Sequence, residues 1–283
     1  MSAIFYLILS IISSSGVALT MKIADHLAIE HGPFIAVNYL VCTVTVLAWG
    51  GWEGLGSNSV LIWGLSAFIG AMYVLSLWLF NRAIAAEGLA LSTTLMRLSA
   101  AIPTLGSLIL FAERATLFQI IGIAIAFLSL PLASKEPLRF GRGGRESYKG
   151  VVWGFLLFAV YGITDFSFKI QAELEPLADH KAFMTGIFTV ALLLTLPRLT
   201  RKGLPKLCLV WGIVLGAANM LATYFWIRTL AELPGSVAYP TLGLGVIIVT
   251  TVVSLAFWKE KLRLANRFFL ALSSVAILLI NIG

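Results

Sequence analysis

Apolar stretches of about twenty residues recur from one end of the chain to the other, broken only by short polar turns, and no other feature constrains folding as strongly. Hydrocarbon offers no partner to a backbone N–H or C=O, so such stretches must close their hydrogen bonds within helices. Composition agrees, with 59% hydrophobic and only 12% charged residues, about half the roughly 25% of charged residues usual in soluble domains. A water-soluble globule is excluded. The 283 residues hold roughly ten spans with their turns and leave no room for a soluble domain. The net charge of +7 is scattered through the polar breaks rather than gathered in an arm. The partner it implies is therefore a lipid bilayer and not nucleic acid.

Apolar runs between Gly, Pro and charged residues predict spans near 3–24, 33–51, 59–83, 87–111, 115–134, 150–172, 180–199, 206–231, 235–258 and 262–282. The longest polar break carries Lys135, Arg139, Arg142, Arg145 and Lys149 and divides the chain into a first five-helix half (1–134), a basic linker (135–149) and a second five-helix half (150–283). No Lys or Arg precedes the first apolar run, so it reads as a retained helix rather than a cleaved signal peptide. Cys42 and Cys208 both fall inside apolar runs and suggest no disulfide framework. Fifteen of the Lys and Arg residues lie in breaks after odd-numbered spans and at most four, Arg114, Lys169, Lys181 and Arg228, on the other side. Cytoplasmic loops keep positive charge. The expectation is a multi-pass protein of the plasma (inner) membrane with its linker in the cytoplasm and both termini outside.

The two halves align at offsets of 146 to 148 residues. Ser15 to Lys22 meets Gly162 to Lys169, Trp63-Gly64 meets Trp211-Gly212, Trp78 meets Trp226, and Glu113-Arg114 meets Glu260-Lys261. Five spans is an odd number, so the copies would face opposite ways, a common construction for secondary transporters. At these residues the chain resembles the drug/metabolite transporter superfamily, specifically its ten-helix EamA-type members. The resemblance is carried by the Lys closing the first span of each half, by Ala83-Ile84 and Thr229-Leu230 at the ends of the third spans, and by the turns Glu113-Arg114-Ala115-Thr116-Leu117 and Glu260-Lys261-Leu262-Arg263-Leu264. It covers essentially the whole chain and is specific for fold rather than substrate. It implies an all-α integral membrane protein of ten transmembrane helices in two inverted five-helix repeats. Spans 3, 4, 8 and 9, with the first span of each half, would surround a central cavity, and spans 5 and 10 would pack outside it. The Gly usual in the fifth span stands as Gly122 in the first half but is replaced by Phe269 in the second. The first span also looks like that of the small multidrug resistance proteins. Ser14 and Tyr161 occupy the places of that family's membrane Glu, however, and the multidrug reading falls with the carboxylate.

Charge at a bilayer centre costs about 2.5 to 3.5 kcal/mol on insertion scales, so ionisable residues there face a cavity or a partner. Arg97 sits near the middle of span 4, with Thr93, Thr94, Ala100, Ala101 and Thr104 on its side, a small polar stripe on a greasy helix. Span 6 sets Tyr161, Asp165 and Lys169 on one face at four-residue steps. Asp165 and Lys169 can pair with each other. Alternatively Asp165 is a proton site, or the counter-ion of Arg97 in an empty cavity. Span 8 aligns Gly212, Gly216, Asn219, Thr223 and Trp226, where the Gly pair permits close helix contact. Trp63 and Trp211 suit interfacial anchors, whereas Trp78 and Trp226 lie deeper and suit the cavity. Tyr239 opens span 9 beside Pro240, and Pro103 lies in span 4; both prolines are candidate hinges. Asn38 and Asn81 are candidate polar glue.

His26, His31 and His180 all fall at turns, and no HExxH, GxSxG or CxxC pattern occurs. No enzyme activity, catalytic residue, metal site or cofactor is expected, and no filter-like loop suggests a channel. The reading is a secondary carrier of small organic metabolites working by alternating access. A deep Arg beside Thr, aromatic residues and Asn219 suits amino acids or related carboxylate-bearing solutes, with proton coupling through Asp165. The alternative cargo is a cationic or zwitterionic amine held on Trp and Tyr faces.

Overall fold

The computed structural model describes residues 3–56, 58–87, 89–130, 145–200, 204–258 and 264–282. Residues 135–144 of the basic linker and the turn 259–263 that carries Glu260 lie outside the described residues. All regular structure described is helical: α1 (Ala3–His26), α2 (His31–Val46), α3 (Val60–Glu87), α4 (Leu89–Leu98), α5 (Ala101–Leu110), α6 (Leu117–Ser129), α7 (Arg145–Leu174), α8 (His180–Thr195), α9 (Pro197–Thr200), α10 (Lys206–Glu232), α11 (Gly235–Trp258) and α12 (Leu264–Ile282). Six of the described helices are long and apolar enough to cross a membrane: Ala3–His26, His31–Gly51, Val60–Ile84, Val152–Leu174, Lys206–Glu232 and Gly235–Phe257. Four shorter apolar helices accompany them, Leu95–Leu110, Leu117–Ser129, His180–Thr195 and Arg267–Ile282. Their outward faces are greasy, with Ile109, Leu128, Val252 and Phe257 all exposed, as a surface turned to lipid rather than water requires.

Local sequence explains where the helices begin and break. Thr116 and Gln119 form a reciprocal capping box at the start of α6, the Thr116 hydroxyl accepting from the Gln119 N–H at 3.2 Å. Asp179 caps α8 by accepting from the N–H groups of Lys181 and Ala182 at 2.7 and 3.0 Å. The expected span 87–111 is interrupted at Ser99-Ala100, so that Arg97 lies in the last turn of α4 and Pro103 in the first turn of α5. Proline has no N–H and its ring crowds the carbonyl four residues back, which here belongs to Ser99. The expected span 33–51 ends in a kink within Leu47–Gly51, where Gly50 leaves the helical range at φ 93°. Only glycine takes that conformation freely.

The chain forms two compact units, the first Met1–Val74 with Ile170–Glu232, the second Leu75–Lys169 with Leu233–Gly283. Within the first unit, α10 packs on α1 and α2, and α2 on α8. Gly212 and Gly216 make the α2 contact possible, since Cβ atoms there would stand 2.7 Å from the Cβ atoms of Val37 and Val41. Within the second unit, α6 packs on α12 and α5 on α11. Gly122 admits the backbone of Ala276 and the Ile280 side chain, while Phe269 fills a core with Ala126, Leu130, Leu244 and Ala276. Gly122 and Phe269 thus do different packing work.

Candidate functional site

In the second unit three helices bring ionisable and aromatic side chains together. Arg97 comes from the last turn of α4, Tyr161 and Asp165 from the middle of α7, and Tyr239 from the start of α11. Arg97, Tyr161 and Asp165 lie within electrostatic reach of one another. The Tyr239 hydroxyl donates to the Asp165 backbone carbonyl at 2.6 Å, tying α11 to α7. A crevice of about 10 Å³ runs beside Arg97, lined by Ala100, Phe127, Tyr239, Pro240 and Gly243. That is space for about one water. A Cβ at Gly243 would meet nothing within 4 Å, so the crevice is open on that side.

Charge continues one turn further along α7. Lys169, only 2% exposed, donates to Glu113 at 2.7 Å, and Glu113 stands in the loop between α5 and α6. Both Glu113 oxygens also accept from the start of α11. The Gly235 N–H donates at 2.8 Å, the Ser236 N–H at 2.9 Å and the Ser236 hydroxyl at 2.7 Å. Burial raises the Glu113 carboxyl, but the hydrogen bonds from Lys169, Ser236 and Gly235 outweigh it and hold the group below its ordinary range. The Lys169 ammonium also lies 5.9 Å from the Phe111 ring. Lys169, to which α7 geometry offers Asp165 at i,i+4, thus also takes an acid from another element. Sequence reasoning missed this role of Glu113. The available signal was a Lys set among apolar residues near a helix end, with an acid at the end of another apolar run.

Trp78 also belongs to the second unit, where it is 43% exposed. Trp153 meets it edge-on at 5.6 Å between ring centres, and the Arg82 guanidinium lies 5.2 Å over its ring. Thr93 and Thr94 fall within α4, and their side chains lie outside what the structure describes, as does that of Asn81.

The remaining expected site residues, Asn219, Thr223 and Trp226, lie on α10 in the first unit. Asn219 donates through Nδ2 to Asn38 Oδ1 at 3.2 Å, so Asn38 does join helices as polar glue. Thr223 and Trp226 are buried. Further along α10, Arg228 donates to the Tyr6 hydroxyl at 3.2 Å and stands 3.7 Å from Glu232.

No family model matches the chain. A protein of Haemophilus influenzae, described as an uncharacterized protein, is 24% identical over 272 residues, 92% of this chain and 91% of that relative. The chain is thus a distant homologue of that protein over nearly its whole length. Among solved structures, the crystal structure of a protein superimposes with a TM-score of 0.78 at 12% identity, covering 99% of this chain and 96% of that one. The likeness establishes the fold.

Proposed function

We propose that the protein is a secondary carrier of small organic solutes bearing a carboxylate, with Arg97 as the group that receives the anion. One observation carries the reading. Arg97 ends a helix broken beside Pro103, and Tyr161, Asp165 and Tyr239 gather round it from two other helices. A guanidinium set in an apolar wall demands an anion, and it can grip a carboxylate through two parallel hydrogen bonds. Asp165 serves as its counter-ion when cargo is absent and as a proton site when cargo is bound. No chemical step is required, so the protein is not an enzyme in this reading. The resemblance to EamA-type members of the drug/metabolite transporter superfamily supports the same conclusion. It extends the six long and four shorter apolar helices to ten membrane helices in two inverted repeats, in the inner membrane, with both termini outside the cytoplasm.

The test is uptake or counterflow into proteoliposomes with a panel of amino acids, organic acids and quaternary amines. Carboxylate-bearing solutes should be transported, and Asp165→Asn should flatten the pH profile of that transport. A wild-type pH profile in Asp165→Asn would remove the proton role. The Arg82 guanidinium lies 5.2 Å over the Trp78 ring, the geometry of a cation on an aromatic face. It favours a second reading, a cationic or zwitterionic amine as cargo, which transport of quaternary amines in preference to acids would establish.

A further inference from the structure

The start of α11 is secured in a way that sets it apart from those of α6 and α8. Thr116 and Asp179 cap α6 and α8 from adjacent sequence, whereas the cap of α11 comes from Glu113, 122 residues away. The first four N–H groups of α11 all have acceptors: Gly235 and Ser236 donate to Glu113, and Val237 and Ala238 donate to the Pro234 carbonyl at 3.1 and 2.9 Å. Past this turn comes Pro240, which has no N–H to give the Ser236 carbonyl. The turn Gly235–Tyr239 is thus joined to the rest of α11 by one bond fewer and to Glu113 by three more. Its packing is equally tight. A Cβ at Gly235 would run into the Ser107 hydroxyl and come within 3.3 Å of Lys169 Cε.

The same turn ends in Tyr239, which with Pro240 walls the crevice beside Arg97. At about 10 Å³ that crevice takes a water and no carboxylate-bearing solute. We infer that the first turn of α11 is a gate over Arg97, hinged at Pro240 and latched by Glu113 and Lys169. The inference rests on the reading that cargo reaches Arg97, and it adds the element that must move first. Glu113 and Lys169 are positioning residues: they touch the turn that carries Tyr239 and not the cargo. Releasing the carboxylate frees two N–H groups and a hydroxyl together, so the turn leaves as a unit. Tyr239 then gives up the Asp165 carbonyl and uncovers the guanidinium.

Gly243 supplies a reporter, because its position lines the crevice and leaves space for a side chain. The experiment uses the full-length Gly243→Cys protein in membranes and follows alkylation by N-ethylmaleimide, resolved by site with mass spectrometry. Native Cys42 and Cys208, both buried, act as internal controls. Glu113→Gln, Lys169→Met and Gly235→Ala, each added to Gly243→Cys, should raise the alkylation rate of the introduced thiol about tenfold, the size of effect that losing one helix cap produces, and leave Cys42 and Cys208 unchanged. Rates for the introduced thiol within about twofold of the Gly243→Cys parent in all variants would overturn the gate. So would a parallel rise at all three thiols, which marks general loosening. Should a single-charge variant fail to accumulate, Glu113→Gln combined with Lys169→Met removes both buried charges and gives the same readout, and Gly235→Ala wedges the turn without altering charge. Alkylation requires no cargo. A chain that passes this test yet carries no carboxylate would keep the gate and lose the proposed function.

Discussion

Each unit buries polar groups between helices, and the two do so at very different cost. In the first unit the amide contact between helices is neutral, Asn219 bonding Asn38 next to the close approach of Gly216 to α2, and the charged Arg228 meets Tyr6 and Glu232 only where it is about a third exposed. An amide pair satisfies itself and needs nothing beyond the two helices that carry it. In the second unit the groups are charged: Arg97, Asp165, Lys169 and Glu113 are gathered from α4, α7 and the α5–α6 loop. Truncating one partner of a buried charge pair costs far more than the pair contributes, because the survivor stays buried and unpaired. Neutral glue serves assembly; buried charge is worth its cost where something charged must be met or moved. Under the proposed function, the first unit's contact serves stability and the second's charged groups serve solute handling.

The largest expected effect tests that assignment at Arg97. Arg97→Ala should lower transport efficiency for a carboxylate-bearing cargo about hundredfold, equivalent to about 2.7 kcal/mol, within the roughly 2 to 5 kcal/mol that losing one partner of a buried charged contact costs. Arg97→Lys should recover only part of it, because an ammonium does not reproduce the bidentate fork. Normal insertion with unchanged KM and kcat in both variants would make Arg97 structural and transfer first place to the amine reading. The counterpart in the first unit is Gly216→Ala. A Cβ there would stand 2.7 Å from Val41 Cβ and 2.9 Å from the Asn38 carbonyl oxygen, which is backbone and cannot step aside. Overpacking of this kind costs about 1 to 3 kcal/mol. The thermal unfolding midpoint should fall while KM holds; a KM shift with an unchanged midpoint would reverse the assignment.

How far these units were legible in sequence depends on the range of the interaction. Span positions follow from apolar runs, and α11 begins and ends where its run does, at Gly235 and Trp258. The Gly212 and Gly216 stripe announced a close helix contact because its spacing is local to one helix. Pro103 was a candidate hinge for the same reason, although the span 87–111 was expected to run unbroken through Ser99-Ala100. The partner of Lys169 was not legible. Local periodicity offers Asp165, four residues away, whereas Glu113 reaches Lys169 only after α5 and α11 have packed. The kink at Gly50 was hidden too, since a Gly pair at the end of an apolar run does not distinguish a kink from a simple stop.

Acid titration separates the units by a smaller effect. The folded Glu113 carboxyl lies below its ordinary range, so its contribution to stability is complete at neutral pH and is lost as pH falls through the folded value. Glu113→Gln removes the ionisable group. Its midpoint should lie below wild type near pH 7 and converge with it under about pH 4, close to the ordinary glutamate range. A gap that persists undiminished at low pH would mean that the carboxylate form stabilises nothing. Gly216→Ala, which contains no new titrating group, should keep a constant gap throughout.

The smallest effect comes from a pair of alanines, one in each unit, that hold conformations glycine prefers. Ala28, just past α1, has φ 51°, and the Ile29 N–H returns to the Ala24 carbonyl at 2.9 Å in a left-handed helix stop. Ala112, just past α5, has φ 50°, and the next N–H, that of Glu113, returns to the Ser107 carbonyl at 3.3 Å. A left-handed Ala costs roughly 1 to 2 kcal/mol, and the entropy that Gly loses on folding offsets part of the relief. Ala28→Gly should therefore stabilise the protein by about 0.5 kcal/mol and leave transport untouched. At Ala112 the same relief frees the residue that aims Glu113 at α11. Ala112→Gly should gain less stability than Ala28→Gly and raise alkylation of the thiol that Gly243→Cys introduces. Equal gains at both sites, with no change in alkylation, would show that the backbone before Glu113 does not help to set the latch and that the two helix stops differ only in address.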